Sequence, residues 1–174
     1  MMNSRQKPLS PPFVEGDAPL RPDARDLWQL WFDGAAHPNP GRLGLGGVLI
    51  APDGRRHAYS ALAPECGCNN EAELLALGRG LELARGAGAT HVQVWGDSDF
   101  AVRHLNGAAH TDIPRLRALL DVIGRQLTGF TLVHLHWIPR HRNHDADRLS
   151  RAALGLPDKP APRPVSARKR RGRR

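Results

Sequence analysis

Four carboxylates in this 174-residue chain are placed where they could work together. Asp33 follows an apolar run, "LWQLWF", with no Lys or Arg beside it to pair with. A buried, unpaired charge is costly, so something must compensate for it. Glu73 lies in "NNEAELLAL", Asp97 in "VQVWGDSDF" and Asp147 in "NHDADRLS". Each has an ordinary structural explanation. Asp33 precedes Gly34 and suits a turn. Glu73 stands three residues after Asn70, the spacing of a capping box. Asp97 or Ser98 would cap a helix, and Asp147 would sit favourably in a first turn after a cap at Asn143. Glu71, Asp99 and Asp145 are the rival carboxylates in the same segments. Together the four point elsewhere. Two are expected at C-terminal ends of strands and two near helix N-termini, which in a mixed sheet share one rim. Four carboxylates on one rim repel each other strongly unless cations join them. An oxygen-rich, hard site of this kind favours Mg²⁺ or Mn²⁺ over Zn²⁺. Two such ions about 4 Å apart clamp the attacking and leaving oxygens of a phosphodiester displacement. On that reading the counter-charge of Asp33 is metal.

The elements that must position these groups follow from pattern and punctuation. Strands are expected over 27–33, 46–51 and 55–62, the last two joined by the turn signal of Pro52, Asp53 and Gly54. A helix over 71–85 carries Leu74, Leu77, Leu81 and Ala84 on one face and ends at Gly86 and Gly88. Glu73, one turn before Leu77, is directed toward the sheet, whereas Glu71 lies off the leucine face. A strand over 91–95, helices over 97–106 and 113–127, a strand within "FTLVHLHWI" and a helix over 143–154 complete the chain. Asp112 is the expected cap of the 113–127 helix, with Pro114 in its first turn. The order βββαβααβα describes an α/β fold, a mixed five-stranded sheet flanked by helices. Trp28, Trp31, Trp95 and Trp137 all fall on strands and are expected in the core rather than as base-stacking platforms. His134 and His136 share one strand face and read as a solvent-side pair.

Composition bounds the class. The net charge of +8 is uneven: residues 1–26 are neutral, 27–155 carry +1 and 156–174 carry +7. Residues 1–26 are Pro-rich and poor in apolar side chains, and are expected to be a disordered extension. The catalytic domain is expected over 27–156. Residues 157–174, "PDKPAPRPVSARKRRGRR", read as a flexible basic tail. No apolar run approaches a membrane span or a secretory signal. Cys66 and Cys68 suit neither a structural disulfide nor a zinc site, so a reducing, cytoplasmic setting is expected. The same features lead us to expect a monomer without a membrane partner.

Four segments resemble type I ribonuclease H, over roughly residues 30–153. "FDGAAHPNPGRLGLGG" resembles that family's first strand and Asp-Gly…Asn-Pro-Gly turn. "NNEAEL" resembles its Asn-Asn-x-x-Glu-Leu helix start and selects Glu73. "VWGDSDFAV" resembles the Thr-Asp-Ser segment and selects Asp97. "HWIPRHRNHDADRLS" resembles the final Trp-Val-x-x-His…Asn-x-x-x-Asp-x-Leu segment and selects Asp147. The resemblance implies endonucleolytic cutting of the RNA strand of RNA–DNA hybrids, with Asp33, Glu73, Asp97 and Asp147 holding two Mg²⁺. It implies 5′-phosphate and 3′-hydroxyl products. His141 falls where the family often has a proton-handling loop histidine, a task that suits its near-neutral titration; His144 is the rival. Gly34, Asn39, Asn69 and Asn70 fall at positions expected to touch hybrid backbone or minor groove, where the RNA 2′-hydroxyl is accessible.

The chain also departs from the family pattern. No second Lys- and Trp-rich helix follows the 113–127 helix, and Cys68 precedes the Asn pair where Thr is frequent. The core is therefore expected to hold hybrid weakly. Arg168, Lys169, Arg170 and Arg171 in the tail would compensate by following phosphates without reading sequence. Two alternatives remain open at this level. One is another nuclease of the same fold, a DNA resolvase or a double-stranded-RNA cutter. The other is a non-catalytic, basic nucleic-acid-binding protein.

Overall fold

A computed structural model describes residues 26–159, and the expected extension and most of the expected tail, Arg168 to Arg171 included, lie outside the described residues. The elements occur in the expected order: β1 (Leu27–His37), β2 (Gly41–Ile50), β3 (Arg56–Gly67), α1 (Asn69–Gly86), β4 (His91–Gly96), α2 (Asp99–Leu105), α3 (Pro114–Leu127), β5 (Leu132–Trp137) and α4 (His144–Ala153). A short 3-10 turn, Arg140–Arg142, joins β5 to α4. The sheet order is β3-β2-β1-β4-β5. β1 runs antiparallel to β2 and parallel to β4, and β4 runs parallel to β5. Local hairpins build one half of the sheet and helical crossovers the other.

Alternation along β1 decides the two faces. Leu30 and Phe32 are fully buried, as are Val94 of β4 and Leu74, Leu77 and Leu81 of α1. This is the main core, with α1 against β1 and β2, and with α3 against α1. The opposite face of β1, β2 and β3 receives α4. Two close approaches require glycine. A Cβ on Gly34 would strike the backbone of Ala72 and Glu73 in α1, and one on Gly46 would strike the backbone of Ser150 in α4. These two contacts bring the helix carboxylates to the strand carboxylates.

Several local expectations are corrected. Asp33 is not at the end of its strand, because β1 continues to His37 in its hairpin with β2. What ends beside Asp33 is the parallel pairing with β4, at Phe32 and Gly96. The N-cap of α1 is Cys68 rather than Asn70, and Glu71, not Glu73, closes the capping box by accepting from the Cys68 amide at 2.8 Å. Ile113, not Asp112, holds the N-cap position of α3. Of the four tryptophans only Trp28 packs against the core, half-buried; Trp31 and Trp95 are half-buried outside it and Trp137 is 53% exposed. Past α4, the Arg151 guanidinium donates to the Pro157 carbonyl at 2.8 and 3.2 Å. His134 and His136 are exposed on one face, as expected.

Candidate active site

Asp33, Glu73 and Asp97 each offer a carboxylate oxygen, and these atoms all lie within 4.8 Å of one another. β1, the first turns of α1 and the C-terminal end of β4 supply them. Each is held by a neighbour. The Ser150 hydroxyl of α4 donates to Asp33. The Gly34 amide donates to Glu73 Oε2 at 3.1 Å, a bond that the missing Cβ makes possible. Asn143 Nδ2 donates to Asp97 Oδ1 and to the Phe32 carbonyl, both at 2.8 Å. Arg140 Nε donates to Asp97 Oδ2 at 3.0 Å. Asp147, near the start of α4, stands outside the group of three; it is paired with Lys159.

Burial and crowding show in the charges. Asp33 is pushed up from 3.8 to about 7, first by burial and then by Asp97 and Asp147, while the Ser150 hydroxyl opposes the rise. Burial also raises the Glu73 carboxyl well above its usual range, with Asp33 and Asp97 adding to it. Asp97 draws the Arg140 guanidinium further toward its charged form. Two carboxyls whose proton affinity is raised by burial and by their neighbours' charges mark a site that crowds negative charge. Its donors are all hard oxygens, which suits a divalent cation of the Mg²⁺ class.

The other expected residues divide. Asn69 Oδ1 accepts from the Ala36 amide at 2.8 Å, and Asn39 Oδ1 accepts from the Asn69 amide at 3.2 Å. Gly34, Asn39 and Asn69 thus meet where the β1–β2 hairpin abuts the α1 N-terminus, with Asn70 half-buried next to them. His141 and its rival His144 are both exposed, His141 in the 3-10 turn directly after Arg140. Glu71 is committed to the α1 cap and to Arg115 at 2.9 Å, Asp99 lies near Arg103, and Asp145 pairs with Arg56.

Four residues support the carboxylates, and three of them, Arg140, Lys159 and Ser150, are absent from the sequence reading. Arg140 and Lys159 bring cations to the site through Asp97 and Asp147, delivered by a loop and by the chain after α4. Ser150 carried a usable signal, because it stands one turn after Asp147 on the same helix. Asn143 does hold the N-cap position, but its side chain turns to Asp97 and Phe32 instead of capping.

The chain is similar to known proteins in sequence and in fold. A family described as reverse transcriptase-like matches residues 31–153. Ribonuclease HI of Halobacterium salinarum is 34% identical over 147 residues, 81% of this chain and 74% of that protein. The crystal structure of RNase H1 from that archaeon matches with a TM-score of 0.71, over 74% of this chain and 98% of that one. A bifunctional protein of Mycobacterium tuberculosis is 34% identical over 126 residues, which is 70% of this chain and 34% of its own length. LC11-RNase H1, solved in complex with an RNA/DNA hybrid, is 30% identical with a TM-score of 0.68, over 74% of this chain and 96% of that chain.

Proposed function

The chain belongs to the ribonuclease HI family, and from that membership we propose that it cuts the RNA strand of RNA–DNA hybrids endonucleolytically, leaving 5′-phosphate and 3′-hydroxyl ends. The observation that carries this reading is the convergence of Asp33, Glu73 and Asp97 beside Asp147. These four carboxylates are the groups we assign to two Mg²⁺, with Mn²⁺ as a substitute. Bound there, the ions supply Lewis-acid polarisation of the phosphodiester and a more acidic water.

The chain's own residues do the rest. Ser150, Gly34 and Asn143 hold one carboxylate each, so the donor set is oriented before substrate arrives. Such preorganisation lowers the reorganisation needed in the transition state. Arg140 balances part of the negative charge through Asp97. His141, exposed in the turn directly after Arg140, is the group we assign to proton transfer near the attacking water or to product release. Gly34, Asn39, Asn69 and Asn70 form the edge proposed to meet the hybrid's minor groove, and Arg168 to Arg171 the segment proposed to follow phosphates. A monomer in the cytoplasm completes the proposal, supported for the compartment by the free thiols of Cys66 and Cys68. Among the described residues, no helix is long and apolar enough to cross a membrane.

The test uses end-labelled RNA–DNA hybrid, double-stranded RNA, single-stranded RNA and duplex DNA, with Mg²⁺ and with Asp33→Asn beside the wild type. Cutting of hybrid RNA alone, lost in the variant, is the expected result. Cutting of another duplex would retain the site and replace the substrate. Binding without any metal-dependent cutting would leave the carboxylates as structural groups.

A further inference from the structure

We propose that Lys159 is a built-in competitor for the second of the two cations: its ammonium takes the cation position at Asp147, so a divalent ion reaches that carboxylate only by displacing it. The assignment of two ions rests on the nuclease reading above. The four carboxylates are not held alike. Asp33 accepts from the Ser150 hydroxyl, Glu73 from the Gly34 amide, and Asp97 from Asn143 and Arg140. Those donors belong to the sheet, to α4 or to the turn before it. Asp147 has none of them. Among the described residues its one side-chain partner is Lys159. Asp147 is also the carboxylate outside the group whose oxygens lie within 4.8 Å of one another.

The strap that delivers the lysine is built into the chain after α4. Gly155, at φ +69°, takes the left-handed conformation that reverses a chain at a helix end. The Leu154 and Leu156 amides both donate to the Arg151 carbonyl at 3.0 Å and close that reversal. The Arg151 guanidinium then holds the Pro157 carbonyl at 2.8 and 3.2 Å. Asp147 stands one helical turn before Arg151 on the same face, about 6 Å along the axis. Two residues of chain, from Pro157 to Lys159, span up to about 7 Å. The reach of the strap matches the step from Arg151 to Asp147. Arg151 is the cation that Asp147's own helix offers, but it is committed to Pro157, and Lys159 takes the pairing instead.

Charge and exposure decide which cation wins. The Lys159 side chain is 41% exposed and that of Asp147 15%. A part-exposed pair of single charges is weak, worth about fivefold at most in an equilibrium constant. A divalent ion among several hard oxygens is the stronger partner, so the lysine yields to it. Its effect is to weaken the second ion relative to the first, which meets Asp33, Glu73 and Asp97 already gathered. The same ammonium also acts on Asp33, where it opposes the rise caused by burial.

The full chain, without nucleic acid, is titrated with Mn²⁺ while the free ion is read by electron paramagnetic resonance. Lys159→Gln, Lys159→Arg and Arg85→Gln run beside the wild type. Arg85 is an exposed cation at the end of α1 far from Glu73, so its loss changes net charge equally without touching the site. We expect two classes of binding, the weaker one tightened about fivefold in Lys159→Gln and unchanged in Lys159→Arg and Arg85→Gln. A second readout follows the lysine itself. The lysines of the chain are Lys7, Lys159 and Lys169, so reductive ¹³C-methylation gives a sparse side-chain spectrum in which Lys159→Gln assigns the signal. Mg²⁺ should shift the Lys159 signal over the range of the weaker step. An isotherm unchanged in Lys159→Gln, an equal tightening in Arg85→Gln or Lys159→Arg, or a Lys159 signal unmoved at saturation would overturn the proposal. A wild type that cuts no hybrid, with the weaker step still tightened in Lys159→Gln, would overturn the nuclease reading and leave the competition standing. Cutting of hybrid with identical metal titrations would do the reverse.

Discussion

At the scale of single residues, Ser150 and Asp33 show how a serine hydroxyl and a carboxyl share one problem. Asp33 is buried, and burial lifts it from 3.8 to about 7 although the Ser150 hydroxyl pulls the other way. The folded protein without metal therefore binds protons that the unfolded chain has released between these values. Stability from this group is complete at low pH and is lost as pH rises through about 7. Glu73 is shifted in the same direction. Thermal unfolding in chelator should show Tm falling between about pH 4 and pH 7. Asp33→Asn should flatten that fall by several degrees, and Ser150→Ala should extend it to higher pH. A divalent cation added at pH 8 should restore the wild-type Tm and leave Asp33→Asn nearly unchanged. A wild-type profile identical to that of Asp33→Asn would refute the assignment.

At the scale of elements, the site depends on how closely two helices approach one strand pair. Gly34 admits α1 and Gly46 admits α4, each against helix backbone that cannot swing aside. Gly46→Ala should push α4 outward and carry Ser150 and Asp147 with it. We expect a loss of about 1–3 kcal/mol in denaturant unfolding, together with a fall in kcat. Gly86→Ala is the control. A Cβ there meets nothing within 4 Å, so stability should hold or rise slightly. If the two substitutions behave alike, the α4 contact is not what positions the carboxylates. The helix starts illustrate why local reading has limits. Asn70 and Asp112 have good capping chemistry, but Cys68 and Ile113 occupy the N-cap positions. Tertiary packing of the first turn outweighs a contribution of about 1 kcal/mol from a side-chain cap.

At the scale of the whole molecule, charge is segregated: residues 27–155 are nearly neutral and 156–174 carry +7. Phosphate contacts made by the tail should therefore dominate the salt dependence of hybrid binding. Removing residues 160–174 should flatten the log–log salt slope by about three to four units if about four phosphates are contacted. The same truncation should leave metal-dependent cutting at saturating hybrid within about twofold, because the four carboxylates and Lys159 remain. An unchanged slope would place the phosphate contacts on the body instead. The chain leaving α4 also turns back toward the site, held at Pro157 by Arg151, which brings Lys159 to Asp147. Truncation upstream of Lys159 would mix two effects, whereas residue 160 separates them.

The sequence by itself determined the order of elements and the four segments that bear carboxylates. It did so because alternation, leucine spacing and glycine punctuation are local properties of the chain. It also favoured Glu73 over Glu71, because the leucine face of one helix orients its own neighbours. Only the tertiary structure decided what surrounds them. Ser150, Asn143, Arg140 and Lys159 come to the carboxylates from 43 to 117 residues away or from the segment after α4, and no local pattern encodes such a meeting. The tryptophans make the same point in reverse. A strand places its side chains on two faces, and the pattern of β1 and β4 does not state which face a later helix will cover. α4 seats on β1, β2 and β3, so the Trp31–Trp95 row, expected in the core, lies on the other face and is half-buried.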